Sequence, residues 1–542
     1  MVQVKVKEGI LEGETVSNVF GGTFHSFKGV PYAAPPIGDL RFKAPQPPKS
    51  WEGVRSAKQC GKQCYQFNFI TRRRESGSED CLFLNIYTLD LNPEKAFPVM
   101  IWIHGGAFCC GNGNDETYGP EFLIRHGVIL VTINYRLEIL GFLCLDTKEV
   151  PGNAGIKDQV AAMRWVKSNI SNFGGDPDNI TIFGQSSGAA CVTYHCLSPM
   201  TKGLFKRAIA QSGVMTNWYA QSYRPRERAV ALAKSLGCTS EDDIKLYEFF
   251  KKQPLEALAE IQVPLTFAEK VKDKYETQFS VVSEKYFPDN EPFFTGDFIK
   301  ALKNDIHKDI ELIIGYNENE GVLTCAVSFD IKNTIYQANN FKEYMVPKSI
   351  SLYCSIDNQL HIGSMFKKYY TQNKTITINN MDELERYYGM ECFKFDVLQV
   401  AKTISIKNKV YFYKFTCKSE RNFTAMIFGV SNYFKGKILT SHMDEIAYLF
   451  PVKSVSQKIG PSSQTFKAIN TVTKLWTNFA KTGKPTPDIS LGVNWREFNP
   501  KSQPFLEIGN KLVNATKPDE EEFTFWENIF KTYLPSRIYQ DS

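Results

Sequence analysis

Apolar residues fall into short runs along the first half of the chain, spaced by segments of helical periodicity. Pro98 to Ile103 (PVMIWI), Val128 to Asn134 (VILVTIN) and Ile180 to Phe183 (ITIF) are dense in β-branched and large apolar residues and predict buried strands. Between the second and third, Asn153 to Ile170 (NAGIKDQVAAMRWVKSNI) spaces its apolar residues three and four apart and predicts a helix. Further strand-like runs stand at Glu311 to Ile314 (ELII) and Val410 to Phe415 (VYFYKF). Strands apolar on both faces need cover on both faces. The β–α–β rhythm therefore predicts an α/β fold, with a large, mostly parallel sheet between helices. The N-terminal MVQVKVKEGILEG alternates polar and apolar residues and predicts an edge strand, and Gly174 to Pro177 predicts the turn into the third run. The stretches at about 220–300 and 330–405 are more helical and irregular, as insertions covering a sheet would be. With no internal repeat or low-complexity linker, residues 1–542 read as one unit with these insertions.

Composition narrows the classes. The apolar share of 43% and charged share of 23% are ordinary for a globular chain. A net charge of +6 over 542 residues is small. The run Arg72-Arg73-Arg74 is answered at once by Glu75, Glu79 and Asp80, which predicts a solvated loop and argues against a nucleic-acid partner. No apolar leader opens the chain, and no stretch of eighteen apolar residues occurs. The expectation is a cytoplasmic protein with no membrane partner, its sequon at Asn373 unused. Thirteen cysteines at scattered spacing read mostly as buried thiols. Cys60 and Cys64 have no second pair at zinc spacing, so no metal or cofactor is expected.

The chemistry centres on TIFGQSSGAA. A strand, a sharp turn and a small-residue helix are the setting of a G-x-S-x-G nucleophile, and the spacing selects Ser186 between Gly184 and Gly188. Pattern alone also fits a glycine–serine loop. A serine nucleophile needs a base, an acid and an oxyanion hole, in this fold class in the chain order serine, acid, histidine. Of the later histidines, His307 sits in a charged loop and His361 opens a helical stretch. His442 follows a strand and a loop, where open α/β sheets carry their chemistry. Glu320, after the ELII strand, can orient the imidazole, although the pattern equally fits a surface glutamate. After PVMIWI, His104-Gly105-Gly106-Ala107 is close to an HGGG-type loop. The N–H groups of Gly106, Ala107 and Ser187 are the expected oxyanion donors, and His104 itself reads as structural.

These pieces, with FKGVPYAAPPIGDLRF (27–42), SEDCLFLNIY (78–87), NYR, GNAGIKDQ, NFGGDP and GLFKRAIAQSG in order, resemble the type-B carboxylesterase/cholinesterase family of the α/β-hydrolase fold over nearly the whole chain. Within it, the likeness is to insect intracellular esterases of the α-esterase type. The resemblance implies a serine esterase with Ser186 as nucleophile, Glu320 as acid and His442 as base. It implies oxyanion donors at Gly106, Ala107 and Ser187, and a supporting serine, Ser212, hydrogen-bonded near the acid and histidine. It also implies ion pairs Arg41–Glu79 and Arg136–Asp158, and a Cys64–Cys81 disulfide that a reducing cytosol would oppose. Trp218 and Phe108 are expected on the substrate pocket.

Departures qualify the likeness. Gln185 stands where the family often has Glu, a feature similar to juvenile hormone esterases. No tryptophan precedes Ser78 to capture a choline by cation–π contact. Leu439 replaces a common glycine in the loop before His442, and Glu138 is unusual in YRLEILGFL. The expected substrates are small hydrophobic esters, in xenobiotic or insecticide detoxification or sequestration, with organophosphates as covalent inhibitors. The alternatives are a juvenile-hormone or other lipid or pheromone ester hydrolase, and a catalytically weak binding protein on the same fold. A monomer or a homodimer fits equally.

Overall fold

The computed structural model describes residues 2–68, 73–259, 279–304, 306–327, 330–455 and 459–538. The predicted runs form the middle of one large sheet. Strand Phe97–Ile103 lies between Ile129–Ile133 and Gly175–Gln185, and the sheet continues through Arg207–Gln211, Glu311–Asn317, Val410–Phe415 and Pro504–Ile508, all parallel. Val99 to Ile103 and all of Ile129–Ile133 are buried, as strands covered on both faces must be. Antiparallel strands flank this block, ending at Val2–Val6 on one edge and Leu512–Thr516 on the other.

Three segments differ from their sequence reading. The N-terminal alternation holds two strands, not one: Val2–Val6 and Gly9–Ser17 pair as a hairpin, because the chain turns at Lys7 and Glu8. The third apolar run is the end of a longer strand, Gly175–Gln185. The predicted turn is shorter than Gly174 to Pro177: Gly174, whose φ of 80° is left-handed, turns the chain, and Gly175 to Pro177 already belong to the strand. Arg73 and Arg74 are not in a loop. Arg73–Glu75 pairs antiparallel with Gln66–Asn68, and Arg74 lies over the Phe67 ring and 3.8 Å from Glu138. Arg72 and the stretch 260–278 of the first insertion lie outside the described residues.

The second insertion is helical, with Ile331–Asn340, Ile356–Thr371, Asp382–Gly389 and Phe395–Ile404, and a π-helical turn at Met390–Lys394. The amphipathic C-terminal run forms helix Glu520–Tyr533 and packs within the chain. Trp526 and Phe530 meet Phe395, and Trp526 also meets Phe366. No helix among the described residues is long and apolar enough to cross a membrane.

Two ion pairs and one disulfide pin the loops at the strand ends. Arg41 grips Glu79 through both carboxylate oxygens at 2.6 Å, and Cys64 is bonded to Cys81. Arg136 donates to both oxygens of Asp158 at 2.7 and 2.8 Å, and the pair is buried. Removing one partner of a buried pair strands the other charge. Arg136→Met is therefore expected to lower stability by about 3–5 kcal/mol, measured as a fall in the urea midpoint at unchanged m-value.

Candidate active site

Ser186 leaves the sheet at the carboxyl end of Gly175–Gln185 and immediately precedes helix Ser187–His195. Its φ of 58° and ψ of −127° put a non-glycine residue in a strained region, over-determined by its surroundings. Its N–H donates to Gln211 O at 2.8 Å, and its carbonyl accepts from Ala190 N at 2.9 Å. A Cβ on Gly188 would stand 2.1 Å from Ile103 O, so helix and sheet can approach this closely only at glycine. The same closeness explains Gly105, whose Cβ position lies 2.6 Å from the Gln185 backbone oxygen.

The acid and histidine arrive on loops tied to one another. Strand Glu311–Asn317 runs into Glu320, whose Oε1 accepts from Asn317 N at 2.7 Å and whose Oε2 meets His442 Nδ1 at 2.6 Å. Both side chains are fully buried. Asn319 N donates to Thr440 O at 2.8 Å and Asn317 Nδ2 to Ser441 O at 2.7 Å, which stitches the two loops together. Asp444 fixes the histidine loop by accepting from Ser441 N, Phe423 N and Thr424 N at 2.7–2.9 Å; burial still pushes its carboxyl up to about 7. Thr424 Oγ1 donates to His442 O at 2.7 Å. Leu439, in place of glycine, is accommodated with its carbonyl accepting from Asn422 Nδ2. Left-handed backbone in this stretch falls instead at Lys435, Gly436 and Met443, at φ 56°, 66° and 75°.

A cavity of about 80 Å³ opens beside Ser186 and His442. Gly106, Ala107, Gln185 and Trp218 lie on its wall with Leu323, Val327, Cys392, Phe393 and Met443. Its lining is mainly apolar, and no carboxylate lines it among the described residues. A larger cleft of about 560 Å³, between Lys43, Lys148, Arg164 and Glu291, contains none of the predicted site residues.

Two sequence expectations are corrected. Phe108 does not line the cavity. At φ 61° its ring is turned into the core, fully buried and edge-on to Phe142. Ser212 does not hydrogen-bond near the acid and histidine, because its buried hydroxyl has no partner among the described residues. Both Glu320 oxygens are already taken by Asn317 N and His442 Nδ1. His104 is buried and stacked on Tyr135, with burial pushing its imidazole down to about 4.

Sequence reasoning missed several neighbours. Phe393, from the π-helical turn, stacks on His442 with ring centroids 4.0 Å apart. Tyr219 is next to Trp218 on the wall; burial drives its phenol far up, and its hydroxyl donates to Asn217 Oδ1 at 3.3 Å. Glu445 accepts from Asn317 Nδ2 and from Gln211 Nε2 at 3.3 Å, and burial and the charge of Glu320 push its carboxyl up to about 8. Its signal was visible in HMDE, where two acids follow the histidine. Phe393 has no motif around it.

The family model for carboxylesterases matches residues 1–526. The chain belongs to the carboxylesterase family. This carboxylesterase is 31% identical to a juvenile hormone esterase of Tribolium castaneum, over 99% of this chain and 92% of that one. It is 32% identical to a carboxylic ester hydrolase of Bombus ignitus, over 97% and 94%. It is 31% identical to esterase FE4 of Myzus persicae, over 90% and 86%. Among solved structures, juvenile hormone esterase from Manduca sexta, with OTFP covalently attached, superposes with a TM-score of 0.86 at 26% identity, covering 98% of this chain and 99% of that one. The α/β-hydrolase fold and carboxylic ester hydrolysis follow.

Proposed function

We infer that this carboxylesterase hydrolyses small hydrophobic esters through an acyl-enzyme on Ser186. The observation that carries this is the strained Ser186 lining an apolar cavity together with His442, whose Nδ1 is held at 2.6 Å by a buried carboxylate. Ser186 Oγ attacks the ester carbonyl while His442 Nε2 takes its proton. Glu320 accepts from Nδ1–H, which fixes the tautomer and stabilises the imidazolium. The N–H groups of Gly106, Ala107 and Ser187 receive the developing oxyanion. His442 returns the proton to the departing alcohol, and water then releases the acid with the same histidine as base.

The substrate reading is xenobiotic esters, with organophosphates phosphorylating Ser186. It is supported by apolar walls and by Gln185 in place of a carboxylate, which leaves no charge to attract cationic alcohols. A lipid-hormone ester is the second reading, favoured by the juvenile hormone esterase relatives. Rapid mixing with nitrophenyl esters of increasing chain length is expected to release a burst of one nitrophenol per chain before steady turnover. The acyl mass is expected on the peptide holding Ser186. Hydrolysis with no acyl on that peptide overturns the mechanism. A long-chain lipid ester exceeding every nitrophenyl ester in kcat/KM favours the second reading.

A further inference from the structure

His442 Nε2 is the atom that has to receive the serine proton, and it already has a partner. Gln185 Nε2 stands 3.0 Å from it, while His442 Nδ1 is engaged by Glu320. With the Nδ1 proton directed at a carboxylate, Nε2 carries the lone pair, so the carboxamide N–H donates to it. No hydrogen bond joins Ser186 to His442 among the described residues. The nitrogen that must receive the proton is thus held by a third group. Gln185 is 2% exposed, and a Cβ on Gly105 would stand 3.1 Å from its side-chain oxygen, a crowding that glycine avoids.

We propose that Gln185 is a positioning residue for the base: its amide occupies His442 Nε2 in the resting enzyme and yields that nitrogen to the Ser186 hydroxyl when substrate enters. This rests on the acyl-serine reading above. The proton balance is simple. Nε2 loses the amide N–H contact, accepts the Ser186 proton as Oγ bonds to the carbonyl carbon, and then presents an N–H. A half-turn of the carboxamide brings its oxygen to accept from that N–H. Glutamine serves both states because it holds a donor and an acceptor on one plane; a carboxylate at this position could serve only the protonated one.

A hydrogen bond given to the neutral form of a group disfavours its charged form. The amide thus pairs with Nε2 as an acceptor, the form of the ring that the serine proton needs. The other groups facing His442 are Glu320 on its Nδ1 side, the uncharged Phe393 ring on its face, and Asp444 and Glu445 on its own loop; Glu445 lies close enough to Glu320 to feel its charge. These stay constant between variants.

The test compares the pH profile of kcat/KM for nitrophenyl acetate in the native enzyme, Gln185→Leu and Gln185→Glu. Rates are referred to the fraction of Ser186 that a fluorophosphonate labels, so misfolded chains drop out. Removing the donor is expected to move the acid limb up by about half a pH unit to one unit, and replacing it by a carboxylate by more than one unit. Acid limbs unmoved or lowered in both variants overturn the proposal. If Gln185→Leu does not fold, Gln185→Glu carries the test alone, being the same size. Failure of the acyl-serine reading is distinct: the native enzyme would show no Ser186 labelling and no acyl peptide.

Discussion

Ser186→Ala is expected to lower kcat by roughly 10⁵–10⁶-fold while leaving KM within a few-fold. In the proposed mechanism the hydroxyl is the atom that bonds to the acyl carbon, and no neighbour can replace it. Ser187 is adjacent but begins the helix, with its own hydroxyl accepting from Phe108 N at 3.3 Å. Its proposed contribution is the backbone N–H, which alanine keeps. Ser187→Ala is therefore expected to cost about tenfold, through a slightly loosened 106–108 loop and a Phe108 N–H left without its acceptor. Steady-state kinetics on the two alanine variants, normalised to folded protein by circular dichroism, decide between the adjacent serines. Comparable losses in both would mean that the turn supports the site through its backbone alone.

Glu320→Gln is expected to lower kcat about 10⁴-fold at neutral pH. The carboxylate has a donor on each side, Asn317 N at 2.7 Å and His442 Nδ1 at 2.6 Å. A carboxamide can face only one of them with its oxygen. If it satisfies Asn317, its NH₂ meets Nδ1 and forces the proton to Nε2, where it blocks the base. If it satisfies Nδ1, the NH₂ opposes the Asn317 N–H in a buried site. Either way the imidazolium loses the charge that stabilises it. Glu320→Asp keeps the charge but shortens the reach, and a misplacement near 1 Å costs about 100-fold. The order native, Glu320→Asp, Glu320→Gln in kcat is the measurement. Equal kcat in the native enzyme and the Glu320→Gln variant would remove Glu320 from the relay.

The sheet was legible because its strands are apolar enough to be unambiguous. Val410–Phe415 was read to the residue, and Phe97–Ile103 and Ile129–Ile133 within one residue at each end. Ser186 was legible because a sharp strand-to-helix turn leaves a local signature of glycines at fixed offsets. Glu320 and His442 were less so, since 122 residues separate them and their meeting depends on stitching between Asn317, Asn319, Thr440 and Ser441 that periodicity does not reveal. Phe108 was misplaced by the same limit: its neighbours in sequence line the cavity, but a left-handed φ turns its own ring away. Phe393 and Tyr219 stand on irregular or π-helical backbone, where neither a period of two nor one of 3.6 says which side faces inward.

The wall of the cavity and the root of the nucleophile come from different stretches of chain. Ser186 is anchored in the sheet, between strands Phe97–Ile103 and Arg207–Gln211. Phe393 and Cys392 come from the helical cover, and Trp218 and Tyr219 from a 3₁₀ turn, Trp218–Ala220, beyond the sheet. Inheritance can therefore act on the two separately. Substitutions in the cover reshape what the enzyme accepts while the strand, turn and helix that carry the proposed nucleophile pass unchanged from one descendant to the next. A lineage can drift from one ester to another without rebuilding its chemistry. The stacking of Phe393 on His442 is where that freedom narrows, because a change there alters both the fit of the acyl chain and the seating of the base.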